Sequence, residues 1–132
     1  MIETVYRTKD FPVAERFDYW HQWMSQTHSP VEMTSEYSAN FRACTRVLRL
    51  GDVIIWPSHV QPLVSRRTAD LIRFSDPETY NLTLILEGMA GAAWSDREAQ
   101  YGVHGLHGQN SSVPCTVWVG RDARTWRCRP VS

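Results

Sequence analysis

The stretch RRTADLIRFSDPETYNLTLILEG, Arg66 to Gly88, decides the fold class. Its second half alternates cleanly. Tyr80, Leu82, Leu84 and Leu86 fall on one side, and Asn81, Thr83, Ile85 and Glu87 on the other. Strand side chains point alternately to opposite faces, so this run reads as a half-buried central strand whose apolar side needs a core. Asp76-Pro77-Glu78 is a turn with proline in its favoured place. Leu71 to Phe74 adds a short apolar segment just before it.

Working outward, similar segments appear on both sides. Phe41 to Leu50 reads as a strand, although Arg42, Arg46 and Arg49 break its alternation. Gly51-Asp52 is a hairpin turn with its glycine first, the order of a type II′ turn. Val53 to Trp56 is the return strand, stopped by Pro57, and Pro62 marks His59 to Val64 as an edge or bulged strand. Downstream, Ala92 to Trp94 and Glu98 to Tyr101 flank a Ser-Asp-Arg turn. Val103 to His107 follows, and Cys115 to Val119 is a last clear strand. Short strands with frequent turn signals indicate a barrel or sandwich.

One helix stands ahead of these strands, in FPVAERFDYWHQWM, Phe11 to Met24. Asp10 is placed to cap it and Pro12 suits its first turn. Val13, Phe17, Trp20 and Met24 recur at helical steps and form one apolar stripe, with Trp23 beside it. Such a stripe must lie on something, and the outside of a sheet is the platform available. The helix aromatics Phe17, Trp20 and Trp23 are candidates for core or for an association face.

Composition narrows the function. A chain of 132 residues fits one domain large enough to bury its own core. Its 14 basic and 14 acidic residues cancel, which disfavours a free-standing DNA-binding domain or a polybasic membrane anchor. MIETVYRTKD has no apolar signal-peptide core, and no apolar run approaches the ~20 residues of a membrane-spanning helix. Three cysteines, Cys44, Cys115 and Cys128, show no metal spacing, and an odd number argues against a complete disulfide framework. Free thiols in a reducing cytoplasm are therefore expected, with Cys44 a small buried hydrophobe.

Candidate chemistry is sparse. His104 and His107 lie three apart, which puts them on opposite faces of a regular strand. Only a bulge at Gly105 would let them share a metal, with His59 as a third ligand. Cys115 and His104 have no specific spacing behind them, and Ser111 and Ser112 lack a nucleophile elbow. Gly88-Met-Ala-Gly91 has no following helix or lysine and fails the phosphate-loop test. Arg66-Arg67 is read as structural, paired with Asp70 or with the Asp76-Glu78 turn. Trp56, Tyr80 and Trp94 fall on or beside barrel strands and are the candidate ligand-pocket rings, since small-molecule pockets are mostly apolar.

Four segments together carry a resemblance: FPVAERFDYWHQWM, FRACTRVLRLGDVIIW (Phe41 to Trp56), the Arg66 to Gly88 stretch, and WSDREAQYGVHGLH (Trp94 to His107). Their ordered set, spanning residues 11 to 118, resembles the N-terminal sensing and dimerisation domain of AraC-type bacterial transcription regulators. The resemblance implies a mainly β, cupin-like barrel of jelly-roll type over residues 1–120, with one amphipathic helix packed outside. Residues 121–132 would be a short arginine-rich tail in place of the family's helix-turn-helix half. It further implies a cytoplasmic, non-enzymatic domain without a cofactor. Such a domain would sense a small effector or associate as a homodimer or as a heterodimer with a full-length regulator, without direct DNA binding. The alternative is a small metal-dependent cupin enzyme using His59, His104 and His107.

Overall fold

The computed structural model describes residues 2–120. Their fold is mainly β, built from antiparallel sheets with one main helix near the N-terminus. The first sheet centres on β3 (Ala43–Leu50). One edge of β3 pairs with β1 (Ile2–Arg7) along its length. The other edge takes β4 (Val53–Ile55) and then β5 (Ser58–Val60). These two are one return strand interrupted at Trp56-Pro57, where the Arg46 amide still donates to the Pro57 carbonyl at 2.9 Å. Gly51 has φ +61° in the tight turn between β3 and β4, the left-handed value that the glycine-first turn requires.

The second sheet has five strands. In spatial order they are β2 (Glu32–Thr34), β6 (Leu63–Arg67), β11 (Cys115–Val119), β8 (Ala90–Ala93) and β9 (Glu98–Tyr101). The β8–β9 hairpin turns at Ser95-Asp96-Arg97, where the sequence places it. Gly91 in β8 has a packing role: a Cβ there would collide with the Trp118 ring of β11. A third, two-stranded ribbon pairs β7 (Tyr80–Leu84) with β10 (Leu106–Asn110).

The helix begins later than its sequence pattern suggests. Two 3-10 turns, Thr8–Asp10 and Val13–Glu15, precede α1 (Arg16–Thr27). Asp10 sits inside the first turn, and Pro12 is extended at the head of the second, so neither acts at the start of α1. Arg16 secures the entry instead. Its Nε donates to the Phe11 carbonyl at 3.0 Å and its Nη1 to Asn40 Oδ1 at 3.0 Å.

The stripe on α1 covers the main core. Trp20 (2% exposed) and Phe41 (fully buried) pack with Met33, Ala43 and Leu63, and Tyr6, Phe17, Trp23 and Met24 close around them. Val13 is 46% exposed and lies outside this cluster. Burying each large side chain contributes about 1.5–3 kcal/mol. Thr8 fastens the edge of this layer, donating to the Ala43 carbonyl at 3.1 Å and accepting from the Ala43 amide at 2.9 Å. A second, smaller cluster of Ala92, Cys115 and Val117 sits in the five-stranded sheet.

Two further differences from the sequence reading concern the Arg66 to Gly88 stretch. The short apolar segment Leu71 to Phe74 is the end of a short helix, α2 (Ala69–Phe74). Thr68 caps it by accepting a hydrogen bond from the Leu71 amide at 3.2 Å, and the Thr68 carbonyl receives the Ile72 amide. The larger correction concerns β7. It pairs with β10 alone among the described residues, so it is not a central strand. Its apolar side also faces away from the core. Tyr80 is 80% exposed, Leu82 76%, Leu84 53% and Leu86 65%. The ribbon instead buries Ile85 and His107, with Asn81 and Gln109 half-buried. Strand alternation fixes that one face is apolar; which face turns inward is set by pairing register and by neighbouring strands.

Candidate functional site

Arg67 at the end of β6 centres a buried polar network. It is buried, and its guanidinium donates to three backbone carbonyls: Ser111 at 3.0 Å, Pro30 at 2.9 Å and Ser75 at 2.6 Å. Asp76 lies 3.9 Å from the same group. Asp76 in turn accepts from Ser111 Oγ at 2.9 Å, Ser112 Oγ at 2.6 Å and the Glu78 amide at 2.9 Å. These hydrogen bonds, the Ser112 hydroxyl first, hold the Asp76 carboxyl below its ordinary range. One planar fork thus joins the entry to β2, the end of α2, and the β10–β11 loop. The network explains Arg67, Ser111 and Ser112 as structural groups. Arg66 does not join it.

The candidate pocket rings occupy three different surroundings. Trp56 packs on the His28 ring at a centroid distance of 4.1 Å, and His28 meets Trp23 at 5.9 Å. From there an aromatic chain continues through Tyr6, 5.0 Å from Trp23, into the core around Trp20. Burial pushes the His28 imidazole down to about 4, so it is neutral at physiological pH. Tyr80 stands on the exposed ribbon face. Trp94, by contrast, lines a cleft.

That cleft measures about 320 Å3 and is formed by the β8–β9 turn, by Gly108 and Asn110 of β10, and by Val113. Arg97 lies over the Trp94 ring at 4.6 Å from its centroid, a cation–π arrangement that presents a planar charged group beside an aromatic wall. Ser95, Asp96 and Asn110 add hydrogen-bonding capacity. A second depression, about 430 Å3, runs between the start of α1 and β2, lined by Phe17, Asp18, Met33 and Ser35.

The remaining sequence candidates disperse. Phe17 and Trp23 are partly buried against the core that contains Trp20, so all three rings belong first to the interior. His104 is exposed in a turn at φ +68°. His107 is buried in β10, stacked on Tyr101 at 4.7 Å, and burial lowers its pKa. His59 belongs to β5, paired with Cys44 of β3. Among the described residues no group of three or more His, Cys, Asp or Glu side chains is placed to hold a metal. Cys115 is a buried free cysteine, and burial pushes its thiol up, away from nucleophilic reactivity. Cys44 is disulfide-bonded, against the expectation of a free thiol. Residues 121–132, the expected arginine-rich tail with Cys128, lie outside the described residues.

Sequence reasoning missed Arg97 and Asn110. A signal for Arg97 was present, since it stands three residues after Trp94 across a tight hairpin, where ends of the turn approach each other.

By fold the protein is a cupin-like β domain with a helix against one face. A family profile described as the AraC-binding-like domain matches residues 20–127, and the chain belongs to that family. The crystal structure of the AraC-like transcriptional activator CuxR is similar in fold, with a TM-score of 0.77 and 19% sequence identity. The match covers 90% of this chain and 44% of that one. No curated protein matches the chain. No described helix is long and apolar enough to cross a membrane.

Proposed function

We propose that this chain is a non-enzymatic sensing and association domain in transcriptional control, acting without DNA contacts of its own. Membership of the AraC-binding-like family supports the regulatory class, and the balanced charge supports the lack of direct DNA binding. The observation that carries the sensing half is the Trp94–Arg97 cleft. An aromatic wall, a cation held over it and convergent polar groups suit a small planar effector with a hydrogen-bonding or anionic edge. Of the three candidate rings, Trp94 is the one beside such a cleft. Trp56 and Tyr80 enter the proposal only if the effector reaches beyond it. The association half comprises a homodimer or a heterodimer with a full-length regulator.

Thermal-shift screening against small metabolites tests the reading, because a ligand that binds only the native state raises its melting temperature. An effector should raise the midpoint of the wild type and of Trp56→Ala, and should fail to shift Trp94→Ala or Arg97→Ala. A shift that survives both cleft variants would remove the cleft from the account. Tight, sequence-specific retardation of duplex DNA by the purified chain would remove the proposed role.

A further inference from the structure

The outer face of the β7–β10 ribbon and the Trp94–Arg97 cleft form one continuous surface. Tyr80, Leu82 and Leu84 of β7 stand opposite Asn110, Gly108 and Leu106 of β10, and paired residues in an antiparallel ladder share a face. Gly108 and Asn110 also line the cleft. A Cβ at position 108 would lie 3.5 Å from Leu82 Cδ2, so the Leu82 methyl borders the cleft directly. From that point the face is hydrocarbon. Leu82 is 76% exposed, Leu106 59% and Leu84 53%. The cleft end is a donor site. Among the described residues no carboxylate stands within ion-pair distance of the Arg97 guanidinium, which lies over the Trp94 ring. Asn110 Oδ1 accepts from the Ser112 amide at 2.9 Å, which leaves the Asn110 NH2 group free to donate.

We infer that the effector is an anionic amphiphile, an alkyl carboxylate whose head group lies at Arg97 and whose chain lies along Leu82, Leu106 and Leu84. The inference rests on the proposed cleft and names the ligand class of that same site. Charge selects the head. A carboxylate is planar and matches the guanidinium fork with two parallel hydrogen bonds, and the Asn110 amide adds a donor beside them. Asp96 lines the same cleft and repels a second negative charge, which favours a monoanion over a phosphate dianion. The leucines select the tail. A carboxylate on a single ring would fill the cleft of about 320 Å3 and leave them bare. From Asn110 to Leu106 the strand advances four residues, roughly 14 Å, so a chain must be several methylenes long to cover the strip. Each methylene laid on a leucine removes apolar surface of both partners from water.

Isothermal titration of the full chain with octanoate, decanoate and laurate, each kept below its micellar concentration, tests this. Binding should be one per chain, and affinity should rise about two- to fourfold for each added methylene, the range between half and full burial of a CH2 group. Dodecanol has the chain without the charge and should bind about tenfold more weakly than laurate. Leu82 and Arg97 are both exposed, so Leu82→Glu and Arg97→Gln should keep the wild-type circular dichroism. Arg97→Gln should weaken laurate about tenfold and leave dodecanol unchanged. Leu82→Glu should abolish the gain with chain length. Val13→Glu, on the exposed turn ahead of α1, should bind laurate as the wild type does. Equal affinity for all three carboxylates, several laurates per chain, or laurate binding that survives both variants overturns the inference. So does a second copy of the chain on the ribbon that Leu82→Glu releases and laurate does not. Benzoate separates the inference from the cleft itself. Benzoate held through Trp94 and Arg97 as tightly as laurate removes the chain and keeps the cleft. Failure of every carboxylate overturns the inference, while the cleft stands or falls on the melting shifts of its own variants.

Discussion

The α1-covered core and the β7–β10 ribbon both carry large apolar side chains and use them in opposite ways. On the first, Trp20, Phe41 and Met33 are sealed under the helix, 2%, 0% and 8% exposed. On the second, four leucines and a tyrosine stand bare. The difference lies in who supplies the cover. Chain topology returns α1 over this core, tied by Arg16 to Phe11 and Asn40 and by His21, whose Nε2 meets the Val31 carbonyl at 2.5 Å. No described element returns over the ribbon. An apolar stripe in a sequence therefore announces a need for burial, and only the fold decides whether the chain or another molecule meets it.

The sharpest way to break this contrast is to empty both sites. Trp20→Ala should lose about 3–5 kcal/mol in urea denaturation, the cost of a large cavity in a packed core. Leu82→Ala, measured at a dilution where the chain is monomeric, should stay within about 0.5 kcal/mol of wild type. Equal losses would erase the distinction. Arg67→Leu comes next. It leaves three carbonyls without their donor, and should cost about 3 kcal/mol while leaving dimerisation unchanged.

Acid provides a third, smaller effect on the helix side. Burial holds the folded-state pKa of His28 at about 4, below the ordinary imidazole value of 6.5. Between these values the unfolded chain binds the proton and the folded chain resists it. Stability is thus fully present above about pH 6.5, falls as pH drops toward 4, and levels off for this group below that. Burial also lowers the pKa of His107, which adds loss in the same direction below the same upper limit. The His28 share is on the order of 3 kcal/mol, and His28→Gln should flatten the pH 4–6.5 limb of a stability profile. The smallest effect belongs to the exposed Arg73–Asp70 pair on α2. Arg73→Gln should leave the denaturation midpoint unchanged, since exposed pairs contribute little.

Much of the architecture was legible in the residues. The Gly51-Asp52 hairpin, the break at Pro57, the Ser-Asp-Arg hairpin and the Cys115 to Val119 strand are local features with local causes, and they stand where turn chemistry puts them. The stripe of Phe17, Trp20 and Met24 correctly foretold a helix against a sheet. Features set by distant contacts were not legible. Leu71-Ile-Arg-Phe74 has strand-like residues, and Thr68 overrides them by capping. The inward side of β7 depends on its register with β10. Arg67 does pair with the Asp76 turn, as its sequence suggests, but its three carbonyl partners at Pro30, Ser75 and Ser111 depend on tertiary placement. For the site, Trp94 was visible as a strand aromatic, whereas its separation from Trp56 and Tyr80 depended on tertiary placement.

Methyl NMR with a soluble paramagnetic agent addresses both faces at once. At low concentration the methyls of Leu82, Leu84 and Leu106 should relax strongly while those of Leu63 stay protected. Ribbon methyls already shielded in the dilute chain, or Leu63 methyls as open as they are, would contradict the account.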